Sequence, residues 1–76
     1  MEDQKHYFVA FQNNTHHLVI KDLEGTEILK IYNMRAQEVY EAPAQSHQQL
    51  NRFMKGMYVA VLMKEGKVLE HYKLIM

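Results

Sequence analysis

The sequence predicts an all-β protein, an antiparallel β-sandwich of six to seven short strands. Short runs of apolar, β-branched and aromatic residues alternate with polar ones, as strand side chains do when a sheet has one buried face. Turn residues separate these runs about every 8–12 residues, which is typical of sandwiches. Toward the C-terminal end, two apolar runs flank Glu65-Gly66, a pattern that predicts a hairpin.

The first half of the chain predicts four strands. They cover residues 7–11, 16–23, 28–33 and 38–41, and Asn- and Gly-containing turns separate them. Alternation places Leu18 with Ile20 on one face of the second strand and Leu29 with Ile31 on one face of the third. Residues 1–5 are expected to form a flexible, solvated lead-in. A chain of 76 residues has the length of one domain, so residues 1–76 are predicted to form a single sandwich.

The segment after the fourth strand is ambiguous. Pro43 cannot donate to a strand ladder, so it is expected to interrupt pairing. Residues 45–54 could form a helical turn, because Leu50, Phe53 and Met54 lie at helical spacing. They could equally form a crossover segment that pins Leu50 and Phe53 onto the sheets, and we prefer this second interpretation.

The terminal hairpin defines a predicted core face. If Glu65 and Gly66 form a two-residue loop, simple pairing places seven apolar residues on one face: Met57, Val59, Val61, Met63, Val68, Tyr72 and Leu74. Methionine can fill a small core or form an adaptable binding surface. We expect the core role for Met34, Met54, Met57 and Met63.

Composition excludes some functional classes. Nine basic and nine acidic side chains cancel, so charge gives no argument for nucleic acid or for anionic membrane. There is no cysteine to form a disulfide framework. The longest apolar run, residues 57–63, is too short to cross a bilayer. The polar N-terminus does not resemble a signal peptide, so the chain is either cytoplasmic, if it truly begins at Met1, or part of a longer exported protein.

No catalytic, cofactor or metal site is predicted, and we do not expect an enzyme. His16 and His17 are adjacent, so in a strand they point to opposite faces. The other histidines, His6, His47 and His71, follow no recognised ligand spacing. Ser46 beside His47 is not a catalytic dyad by adjacency alone.

Three segments in order resemble the C-terminal sorting domains of the Bacteroidetes type IX (Por) secretion system. Residues 13–20 resemble the family's opening "N-P-x-x-x-x-L-x-I", and residues 28–39 resemble its "v-x-I-Y-N-x-x-G-Q-x-V". Leu50, residues 55–62 and residues 73–75 resemble its ending "L-x-x-G-x-Y-x-v-x-l … K-x-i/v". The resemblance spans roughly residues 7–76. It departs from the pattern at Asn14, where the family usually has proline, and at Ala36, where it usually has glycine.

The resemblance implies a seven-stranded immunoglobulin-like sandwich that acts as a non-catalytic sorting signal. Such a domain is exported to the periplasm with its cargo and read by the outer-membrane translocation machinery. A sortase-like peptidase then removes it, and the cargo is anchored at the cell surface or released. The partner-recognition residues that this implies lie at the end of the chain: Gly56, Tyr58, Lys73, Leu74, Ile75 and Met76.

A second hypothesis is a small structural or self-association module, such as an adhesin-like sandwich that dimerises through its strands. Sheet edges recruit partners by strand addition, so a homo-oligomer through strand edges is compatible with either role. A small enzyme or ligand-binding barrel is a weaker third hypothesis.

Overall fold

The computed structural model describes residues 7–50 and 53–76, and this part of the chain is all-β. Its seven strands are β1 (Phe8–Gln12), β2 (His17–Lys21), β3 (Ile28–Tyr32), β4 (Glu38–Pro43), β5 (His47–Gln49), β6 (Met57–Lys64) and β7 (Lys67–Ile75). The predicted strands in the first half agree with these bounds to within one or two residues. The predicted lead-in, residues 1–5, lies outside the described residues.

The strands form two antiparallel sheets. A three-stranded sheet has the order β1-β2-β5, and a four-stranded sheet has the order β4-β3-β6-β7. Strands one, two and five on one side and three, six and seven on the other are the immunoglobulin-like arrangement, with β4 added beside β3. The predicted sandwich is therefore confirmed.

The core lies between the sheets and is built from the predicted apolar pairs. Leu18 and Ile20 of β2 and Leu29 and Ile31 of β3 are all fully buried. Each such side chain contributes roughly 1.5–3 kcal/mol when it is removed from water. Local alternation thus placed the central part of the core correctly.

Residues 45–54 act as the crossover that we preferred. Leu50 is buried in the core and Phe53 packs against it, while residues 51 and 52 lie outside the described residues. The segment also contains the short strand β5, which its glutamine-rich composition did not predict. Pro43 does not interrupt pairing as expected: it ends β4 opposite Ile28, because proline is tolerated at the end of an edge strand.

A buried glutamine explains how so polar a segment joins the sandwich. Gln48 of β5 is only 4% exposed. Its Oε1 accepts a hydrogen bond from the Gln45 backbone N–H at 3.0 Å, and its Nε2 donates to Tyr40 Oη at 2.9 Å and to the Pro43 carbonyl at 3.3 Å. Burying an amide is tolerated when its polar atoms are bonded in this way.

The predicted register of the terminal hairpin is wrong beyond its first pairs. The Glu65-Gly66 loop and the pair Met63–Val68 are as predicted, but Leu69 is an extra residue that forms a β-bulge. From there on the register shifts by one, so that Val59 faces Lys73 and Met57 faces Ile75.

The predicted core face of β6 is also wrong, because β6 alternates without a break along β3 and pairs Leu62 and Ala60 with the buried Leu29 and Ile31. Ala60 and Leu62 lie in the core with Leu74, whereas Met57, Val59, Val61 and Met63 lie on the opposite side of the sheet. Val68 is also on the outside, and of the predicted core face only Tyr72 and Leu74 remain inside.

The four methionines that we expected in the core, Met34, Met54, Met57 and Met63, do not fill it, which corrects a second expectation. Met34 is 68% exposed because it lies in the β3–β4 turn, and Met54 is 80% exposed. Met57 is 38% exposed because it lies on the side of β6 opposite the buried Ala60 and Leu62. Flexible thioether side chains at the surface are typical of adaptable contact sites.

The turn between β3 and β4 has left-handed backbone at Ala36, with φ of 62°. Asn33 holds the turn, because its Oδ1 accepts hydrogen bonds from the backbone N–H groups of Arg35 at 2.9 Å and Gln37 at 3.0 Å. A turn that ends in a left-handed residue before the next strand favours glycine.

Candidate functional site

The outward side of the four-stranded sheet carries many apolar side chains, and we call it the outer face. Strand alternation places these residues on it: Ile28, Lys30, Tyr32, Met57, Val59, Val61, Met63, Val68, His71, Lys73 and Ile75. Val68 is 58% exposed and Ile75 is 56% exposed. Exposed apolar side chains on neighbouring strands mark an interaction site more often than isolated exposed residues do.

Two of the predicted recognition residues lie on the outer face. Lys73 stands opposite Val59, and Ile75 stands opposite Met57. Both are exposed, so one end of the outer face combines apolar contacts with a positive charge. We call these four residues the recognition end.

The other four predicted residues make contacts within the domain itself. Leu74 is buried in the core, and Met76 packs against it while its backbone N–H donates to the Gly56 carbonyl at 2.9 Å. Tyr58 is half-buried, and its hydroxyl donates to the Met54 carbonyl at 2.9 Å. These residues position the end of the hairpin.

An aromatic cluster lies beside this end of the hairpin. The Phe53 ring meets Tyr58 edge to face, with centroids 5.2 Å apart, and meets Tyr40 at 5.9 Å. The cluster lines an open groove with Leu50 and the exposed Met54. Sequence reasoning missed this groove because it joins residues from the crossover, β4 and β6.

The β7 strand adds a backbone surface to the recognition end. In the described part of the chain β7 is an edge strand of nine residues, paired on one side with β6. The opposite edge strand, β4, is shorter and ends in Pro43, which limits strand addition there. Within residues 7–50 and 53–76 no strand pairs with the other side of β7, so a partner strand could be added there.

A buried carboxylate closes the other end of the sandwich. Burial alone would raise the pKa of Glu27, but hydrogen bonds from the backbone N–H groups of Glu24 and Gly25 and from the Tyr7 hydroxyl lower it from 4.5 to about 2. Burial, together with the bond to Glu27, raises the pKa of Tyr7 from 10.0 to about 12. The pair is satisfied by its own contacts and serves the fold.

Two histidines that are far apart in sequence meet on the three-stranded sheet. His17 Nε2 lies 3.2 Å from His47 Nδ1, and His17 Nδ1 lies 3.2 Å from Gln49 Oε1. His16 points away and stacks on Phe11. Spacing could not reveal the pair, because it depends on β5 lying beside β2.

Among residues 7–50 and 53–76, no cluster of three or more His, Cys, Asp or Glu side chains could hold a metal ion. The same residues form no helix long and apolar enough to cross a membrane. Comparison of the chain with family models, curated proteins and solved structures finds no match.

Proposed function

We propose that this domain is a non-catalytic recognition module that serves as a C-terminal sorting signal of the type IX kind. The observation that carries the proposal is the recognition end, where Met57, Val59, Lys73 and Ile75 lie beside the edge of β7 that pairs with none of the other described strands. The sequence resemblance supplies the class of partner, since its terminal motif includes Lys73 and Ile75.

Recognition would combine two kinds of contact. A receptor strand added to β7 would bond its backbone groups, and this gives affinity with little dependence on sequence. Apolar receptor side chains would cover Met57, Val59 and Ile75, and burial of apolar area contributes roughly 25 cal/mol per Å². An acidic receptor group opposite Lys73 would add selectivity.

In this role the sandwich would travel with a cargo to the periplasm and be read at the outer membrane. A sortase-like peptidase would then remove it, and the cargo would be anchored at the surface or released. A compact domain suits such a signal, because its core is built from its own strands and does not require the cargo.

The experiment is a fusion of residues 1–76 to the C-terminal end of an exported fluorescent reporter, in a bacterium with a working type IX system. We expect the reporter at the cell surface or in the medium, and in the periplasm of a strain that lacks the outer-membrane translocon. Delivery that is equal in both strains, or periplasmic retention in both, would contradict the sorting role.

Self-association is a second candidate, favoured by the same exposed edge and outer face. Two copies could pair their β7 strands around a two-fold axis, the commonest symmetry of small homo-oligomers. Sedimentation velocity between micromolar and millimolar concentration tests this. We expect a dimer at the upper end if it is correct, whereas a strict monomer throughout would exclude it.

A further inference from the structure

The geometry points to a metal site: we propose that His17 Nε2 and His47 Nδ1 together bind a divalent transition-metal ion such as Zn²⁺, whose remaining ligands are water. The two nitrogens are 3.2 Å apart. With Zn–N bonds of about 2.0–2.1 Å, a tetrahedral ion holds two ligand nitrogens about 3.3 Å apart. The rings therefore already have the separation that the ion requires.

The neighbouring Gln49 sets the tautomer of His17. Its Nε2 donates to the carbonyls of Thr15 and His16, which can only accept. Its Oε1 must therefore be the atom that lies 3.2 Å from His17 Nδ1, and it accepts that nitrogen's proton. The other ring nitrogen, Nε2, then keeps a lone pair, as metal-binding histidines do when their second nitrogen donates to a carbonyl.

His47 completes the pair from the adjacent strand. In the metal-free protein a proton lies between His17 Nε2 and His47 Nδ1, and the ring planes are tilted by 54° with centroids 5.4 Å apart. His47 is exposed and His17 half-buried, so the site opens to solvent on the side where water ligands would bind. The ion takes the place of the bridging proton, which His47 then carries on Nε2 instead of Nδ1, so both coordinating nitrogens offer a lone pair and both rings stay neutral.

The bound ion would cross-link β2 and β5 and so stabilise the fold. These strands share a register of three residue pairs, so β5 is held by few backbone bonds. An ion that binds the folded form and not the unfolded chain raises stability by mass action. At free Zn²⁺ ten times the dissociation constant, the folded-to-unfolded ratio rises about elevenfold. That ratio corresponds to a melting temperature roughly 6–11 °C higher for a domain of this size.

Thermal melts of the 76-residue chain with ZnCl₂, compared with melts in a chelator, test the proposal. We expect the wild type and His71→Gln, an exposed histidine on β7, to show the same zinc-dependent rise. His17→Gln, His47→Gln and the double variant should lose it. The ring ¹⁵N signals of His17 Nε2 and His47 Nδ1 should move on zinc addition, which is a readout independent of stability.

Far-UV circular dichroism in chelator establishes whether each variant is folded. If His17→Gln does not fold, the melts of the exposed variant His47→Gln and the ring signals of the wild type test the metal site instead. A zinc-dependent rise that survives in the double variant would overturn the proposal. So would ring signals of the wild type that do not move at millimolar zinc.

Discussion

The Tyr7 hydroxyl donates a hydrogen bond of 2.8 Å to Glu27 Oε2, and this bond joins the residue before β1 to the residue before β3. It therefore connects the two sheets at the end opposite the recognition end. Tyr72 of β7 reaches the same place, because its hydroxyl donates to the Tyr7 carbonyl at 3.1 Å.

Removing the Tyr7 hydroxyl should weaken the fold. We expect Tyr7→Phe to lower the free energy of unfolding by about 1–3 kcal/mol, because a buried carboxylate loses a donor. Tyr32→Phe, a change of the same atoms on the outer face, should have an effect within about 0.5 kcal/mol. Urea denaturation at neutral pH measures both. Equal effects of the two changes would show that the Tyr7–Glu27 bond does not stabilise the fold.

Acid should unfold the domain partly through Glu27. The pKa of this carboxyl is about 2 in the folded protein against an ordinary value of 4.5, so the unfolded chain binds the proton first. Its contribution to stability is therefore fully present above pH 4.5 and is lost as pH falls toward 2. We expect Glu27→Gln to be less stable than the wild type at pH 7 and to show a flatter decline between pH 4.5 and 2. Parallel urea-midpoint curves for the two proteins would contradict this assignment.

Glycine at position 36 should stabilise the β3–β4 turn. Alanine in a left-handed conformation costs about 1–2 kcal/mol, and φ at Ala36 is 62°. Glycine also gives the unfolded chain more conformational freedom, which offsets about 0.4–1 kcal/mol of the stabilisation from the relieved strain. Ala36→Gly should therefore raise the free energy of unfolding by roughly 0.5–1 kcal/mol. A lower denaturation midpoint for this variant would mean that the turn has negative φ in solution.

Local patterns were enough to predict the strands and the centre of the core. Leu18, Ile20, Leu29 and Ile31 alternate within single strands, and each strand is bounded by turn residues that act locally. The Glu65-Gly66 loop was predictable for the same reason, since both residues have positive φ, as a tight hairpin turn requires.

Features that depend on distant pairing were not predictable. The bulge at Leu69 lets β7 place Val68 outside and Leu74 inside, which strict alternation from the loop does not allow. β6 has apolar residues on both of its faces, so alternation alone could not decide which of them lies in the core. The β5 strand has only one residue, Gln48, that faces inward, and its burial depends on partners in β4 and the following loop. The His17–His47 pair depends on β5 lying beside β2, so it could not be predicted from the sequence either.

The burial of alternate residues in β7 also decides how the sorting role must be tested. Deleting residues 73–76 would remove Leu74, which is 1% exposed in the core, and the domain would be expected to unfold for that reason alone. Single changes at exposed positions avoid this difficulty. Ile75 and Val68 lie at opposite ends of β7 and are almost equally exposed, so they form a matched pair.

Surface delivery of the reporter fusion carrying Ile75→Asp, compared with Val68→Asp, tests recognition through this end of the outer face most directly. Both proteins should retain the wild-type circular dichroism spectrum and a similar melting temperature. We expect Ile75→Asp to hold the reporter in the periplasm, because a charge replaces an apolar contact beside Lys73, while Val68→Asp is delivered normally. Normal delivery of Ile75→Asp, or equal loss in both variants, would contradict recognition at this end of the sheet.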